Sequence, residues 1–219
     1  MSVNRKGGIA LLAGSLGFIV TISLHDFGSG LFTAGSHFDA LVLRRTLIHM
    51  PAVVSLPLMF LGALALSRRL ASPDRLDIAA VVLYGFAQVA ALSNVAVDAF
   101  VAPALVRQVI NTVPPASDTW RVVLGYNAVL NGVFAQVWVV ATSAAIVLWS
   151  ASIRRNRRLA LGIAIYGLLL GAAVVIAVAF GQLTLASHWV LPIIVGQVAW
   201  FISAGIQLYR LDNEPLPGK

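Results

Sequence analysis

Cysteine is absent from the 219 residues, which excludes disulfides and thiolate metal sites. Charge is scarce too: charged residues make up 11% of the chain, and only eight are acidic. So small a charged fraction excludes an ordinary soluble globular domain. Several catalytic signatures are missing as well. There is no GxSxG elbow, no Walker-type loop, no GxGxxG after a strand and no HExxH. No internal repeat, low-complexity tract or separate soluble domain breaks the chain.

What is present is apolar residues, 59% of the total, gathered in runs long enough to cross a hydrocarbon core of about 30 Å. A transmembrane β-barrel would read as short alternating segments. These runs are continuous and rich in Leu, Ala, Val and Gly, so the expected fold is all-α: a six-helix transmembrane bundle forming one domain over residues 1–211. The spans fall at 7–24, 46–66, 78–103, 122–150, 159–183 and 190–209, and a polar tail occupies 212–219. Residues 7–24 resemble a signal-peptide core, but no A-x-A site follows, and a retained first span is expected. Pro51 and Pro57 should kink the second span. Ser72-Pro73-Asp74 supplies an N-cap for the third. Gly167 and Gly171 suit close packing of the fifth.

The net charge of +7 would suggest nucleic acid in a soluble chain. Here the basic residues cluster at the ends of apolar runs, so the partner is the lipid bilayer, not nucleic acid. Six spans place both termini on one side. Eleven Lys and Arg fall on that side and four on the other, which puts both termini in the cytoplasm. Trp120, Trp149 and Trp189 are expected in the interfacial belts. Arginine outnumbers lysine thirteen to two, a compositional hint of a bacterial genome and hence of a multi-pass inner-membrane protein.

The polar residues are not spread evenly. His25 to His49 holds three of the four histidines, with Asp26, Asp39 and Arg44-Arg45. At about 1.5 Å per helical residue, His25, His49, Asn94, Asp98, Asn131 and His188 lie about 25 to 33 Å from the cytoplasmic ends of their spans. Asn94 with Asp98, and Asn127 with Asn131, are four residues apart and share helix faces. Polar side chains within a span turn towards the bundle interior or a wet cavity. The expectation is an outward-facing pocket, with Asn94, Asp98, Asn127 and Asn131 as ligand-binding residues. Imidazole and carboxylate are metal ligands where thiolates are missing. His25, His49, His188 and Asp98 are therefore candidate ligands of a divalent transition metal, with Asp26, His37 and Asp39 as alternates. Arg44, Arg45 and Arg107 sit at the mouth, facing an anionic group or lipid headgroups.

The leading function is binding of a small ligand or metal ion, with a membrane-embedded metalloenzyme as its catalytic form. The alternatives are a small-solute transporter, with Gln88, Gln136 and Gln197 on an inner path; a haem-binding electron carrier using two outer histidines; and a scaffold subunit without a site. A homo-oligomer is compatible with each. Whether the protein is an enzyme, and for which substrate, stays open at this level.

Overall fold

The computed structural model describes residues 2–24, 38–71, 73–110, 118–181 and 190–211. Its helices are α1 (Val3–Leu24), α2 (Phe38–Leu70), α3 (Leu76–Ala96), α4 (Ala102–Ile110), α5 (Asp118–Asn156), α6 (Leu161–Ala179) and α7 (Val190–Arg210), with a π-helical turn, Val97–Val101, joining α3 to α4. Among the described residues six stretches are long and apolar enough to cross a membrane, the third running from α3 through the π turn into α4. The helices form a ring in chain order, each packed on its neighbours, and α7 closes on α1. Arg5 near the start of α1 donates to the Tyr209 hydroxyl at the end of α7 (2.9 Å), so both helix ends lie at one end of the bundle.

In lipid, helices gain little from hydrophobicity on meeting each other; close packing and hydrogen bonds hold them. The α1–α2 seam illustrates the first. A Cβ on Gly14 would lie 2.8 Å from the Met59 nitrogen and the Ser55 oxygen, and one on Gly62 only 2.7 Å from the Leu11 nitrogen. Only hydrogen fits at these points, so the two backbones touch. Gly167 and Gly171 make room for side chains instead: a Cβ on Gly167 would run into Ser150 and Ile146 of α5 and Trp200 of α7, and one on Gly171 into Val147 of α5. Around the ring axis pack Tyr84, Trp149, Trp200 and Phe201, with centroids 5.0 to 5.9 Å apart for the Tyr84–Phe201 and Trp149–Trp200 pairs.

Trp149 departs from the expectation of an interfacial belt: it is completely buried. Its indole N–H finds a partner away from water, the Ser67 hydroxyl (2.7 Å), which in turn donates to the Asp77 carbonyl (3.1 Å). The same end of the bundle satisfies the orphan carbonyls that terminate α2. Ser152 and Asn156 of α5 donate to the Leu70 carbonyl, and Arg158 donates to that of Arg69. The expected cap of α3 also differs. Arg75, in left-handed conformation (φ 53°), precedes the helix with no side-chain cap. Ser72 lies outside the described residues. Pro51 and Pro57 both lie inside α2, which continues as helix through them.

Candidate functional site

Asp98 is the centre of the candidate site. It is buried in the π turn, within the third apolar stretch. Two residues of α2 reach it. Arg45 Nη1 donates to Oδ1 at 2.9 Å, and His49 Nε2 lies 3.0 Å from Oδ2. Arg45 and His49 are one helical turn apart, so both present to the same face. Side-chain exposures of 21% for Arg45, 5% for His49 and 10% for Asp98 place the cluster almost wholly inside protein.

The local sequence explains why the helix bulges here. Pro103 has no N–H to return to the Ala99 carbonyl four residues earlier, and its ring crowds that carbonyl. The backbone relaxes by one residue: the Ala102 N–H bonds to the Val97 carbonyl, a five-residue step. Thr46, beside Arg45, donates its hydroxyl to the Ala99 carbonyl (3.3 Å), covering the group that proline leaves bare. One proline thus creates the bulge that carries Asp98, and α2 supplies the three side chains that fit it.

The ring of His49 is fixed at both nitrogens. Nδ1 stands 2.8 Å from the Arg45 carbonyl, which can only accept, so Nδ1 carries hydrogen. This is the carbonyl one turn back on the same helix. Nε2 is the position left to exchange a proton with Asp98.

One turn before Asp98, Asn94 Nδ2 donates to the Asn131 backbone carbonyl (2.7 Å), joining α3 to α5. The Asn131 side-chain oxygen is buried with no hydrogen-bond partner among the described residues. Asn127 lies a turn earlier on α5, half-buried. Asp39, at the start of α2, pairs with Arg107 of α4 at 2.9 Å, and both are largely exposed. His25, Asp26, His37 and His188 lie outside the described residues. Among the described residues no three His, Cys, Asp or Glu side chains converge as a metal site.

Of the expected residues, Asp98 with His49, and Asn94 with the Asn131 backbone, do come together. Arg45 and Thr46 belong to the same constellation; the signal for Arg45 was its four-residue spacing from His49, and Thr46 had none. Fold and composition define the class: a multi-pass membrane protein of six apolar helices. Compared with family models, curated proteins and solved structures, the chain matches none.

Proposed function

We propose that this protein binds a small polar ligand, with an exchangeable proton, at Arg45, His49 and Asp98. Asn94, Asn127 and Asn131 flank that centre and orient the ligand. In this reading the protein lies in a bacterial inner membrane, both termini face the cytoplasm and the centre faces outward. The observation that carries it is the ion cluster itself: a carboxylate buried in a membrane span, held by a guanidinium and an imidazole. Intramembrane ionisable groups are costly, and where they occur they mark ligand pathways and proton relays.

The hydrogen-bond arithmetic favours a proton. With Nδ1 hydrogen committed to the Arg45 carbonyl, a bare Nε2 would oppose a carboxylate lone pair with its own; one shared proton turns repulsion into a charge-assisted bond. It disfavours a metal or haem at His49, because both ring nitrogens already face protein oxygens. It also disfavours a nucleophile–histidine relay, which needs one nitrogen open.

The test is solid-state NMR of the 15N-histidine-labelled full chain in lipid bilayers. His49 Nδ1 should stay protonated from acid to alkaline pH, while the Nε2 signal titrates and changes its titration in Asp98→Asn. A ring protonated at Nε2 and bare at Nδ1 would overturn the reading. Metal analysis on the same sample, after exposure to zinc and manganese ions, checks the metal alternative.

A second reading, small-solute transport coupled to that proton, draws on the buried face of α3. Below Asp98 it carries Gln88, Tyr84 and Asp77, all buried, along about 32 Å of helix. Proton uptake by vesicles loaded with a pH-sensitive dye separates transport from static binding.

A further inference from the structure

Basic charge is concentrated where the α2–α3 and α5–α6 connections meet. Arg158 donates to the Arg69 carbonyl (2.9 Å), Asn156 donates to the Leu70 carbonyl (3.2 Å) and Arg155 pairs with Asp74, so the two connections form one surface. Arg68, Arg69 and Arg75 come from one side, and the run Arg154 to Arg158, with four arginines, from the other. Asp74 is the one exposed carboxylate among the described residues of this surface, and Arg155 already holds it; Asp77 is buried. The side chains of Arg68, Arg75, Arg154 and Arg157 are exposed and make no hydrogen bond or ion pair among the described residues.

The backbone adds an independent sign. Among the described residues two non-glycine positions have positive φ, and both are arginines of this surface: Arg75 (φ 53°) and Arg157 (φ 48°). The Arg157 N–H bonds to the Ile153 carbonyl (2.8 Å), in the left-handed turn that closes α5. Glycine is the usual residue at such a turn, because a Cβ is crowded there. Arg75 takes the same conformation one residue before α3. Each connection thus keeps a guanidinium where its backbone favours glycine, and strain of that kind gathers at ligand clamps. A topology signal needs only positive charge near the helix ends, not arginine at these two positions. Exposed apolar side chains begin directly beside both: Ile78 is three residues after Arg75, and Leu161 four after Arg157. We propose that this surface is a binding site for an anionic phospholipid, its phosphate taken by arginines of the two connections, Arg75 and Arg157 first among them. Guanidinium forks suit phosphate because two N–H groups meet two oxygens at once. A soluble polyanion would match the charge and leave the apolar flank unused. The surface shares no residue with the Arg45–Asp98–His49 centre, so either proposal can fail without the other.

Native mass spectrometry of the full chain, released from neutral detergent containing equal amounts of phosphatidylglycerol and phosphatidylcholine, tests it. The phosphatidylglycerol adduct should exceed the phosphatidylcholine adduct about tenfold. Arg75→Gly with Arg157→Gly removes two charges and suits the backbone, so the fold should be kept while the preference is lost. Arg75→Asn with Arg157→Asn is the second pair should glycine loosen the connections, since asparagine also accepts the left-handed conformation. Lys6→Gln with Arg210→Gln removes the same charge beside the α1–α7 seam and should leave the preference intact. No preference in the parent, or one that survives loss of Arg75 and Arg157, would overturn the proposal. Equal losses from the Arg75–Arg157 and Lys6–Arg210 pairs would also overturn it, since net charge and not a site would then be at work. So would displacement of phosphatidylglycerol by an equal concentration of inorganic phosphate, which would make the guest a soluble anion.

Discussion

Asp98 meets a guanidinium and an imidazole in a setting where none of the three has much water. Removing one member of such a buried cluster leaves the others uncompensated, and the loss exceeds the net contribution of the intact set. Asp98→Ala is therefore expected to lower stability by about 3 kcal/mol or more. Replacing Arg45 by Met in the same chain should recover part of that loss. Unfolding in mixed micelles measures both, and a single variant as stable as the parent would deny the cluster its structural weight. The Asp39–Arg107 pair is the contrast. At side-chain exposures of 87% and 61% it is mostly outside the protein, and solvent screening reduces it. Asp39→Ala should leave stability within about 0.5 kcal/mol of the parent.

Single positions also control whole elements. Pro103 forces the π turn, so Pro103→Ala restores an N–H able to reach the Ala99 carbonyl. The helix should then return to regular α geometry, rotate Asp98 away from Arg45 and leave Thr46 without its acceptor. Expected is a fall in the Arg45–Asp98 coupling measured by a double-mutant cycle, while the fold survives because α3 packs chiefly on α5 and α2. An unchanged coupling would mean that the bulge has another cause. Along the α1–α2 seam the expectation is opposite, loss of fold with no special effect on the cluster. Gly14→Leu must push backbone atoms of α2 that stand 2.8 Å from its Cβ. Overpacking of this kind costs about 1 to 3 kcal/mol, and an earlier thermal transition in detergent would show it.

At the scale of the molecule, basic residues gather at the end where α1 begins and α7 stops. Arg5, Lys6, Arg68, Arg69, Arg75, Arg154, Arg155, Arg157, Arg158 and Arg210 all lie at that end of their helices or in the connections there. The positive-inside bias predicts that this end stays in the cytoplasm. A green fluorescent protein fused to either terminus should fluoresce, and alkaline phosphatase at the same places should be inactive; the reverse pattern would invert the orientation. Replacing Arg154, Arg155, Arg157 and Arg158 with glutamine should increase the inverted fraction. It should also loosen the α2–α5 end, where Arg155 pairs with Asp74 and Arg158 caps the Arg69 carbonyl.

The number of membrane helices, their rough places and the inward lean of the polar residues follow from the chain alone. Length, hydropathy and the cost of polar groups in lipid are local properties, additive along a sequence. Even the meeting of Asp98 with His49 was within reach, because both lie at one depth. What the chain alone does not decide is who answers whom across the ring. Arg45 looked like a headgroup contact, yet it turns inward to Asp98. Trp149 looked like an interfacial anchor, yet it fills the core against Ser67. Thr46 had no signal at all until a proline fifty-seven residues later bared a carbonyl beside it. Such pairings depend on helix rotation and on sub-ångström register, which arise only when all six helices are packed together.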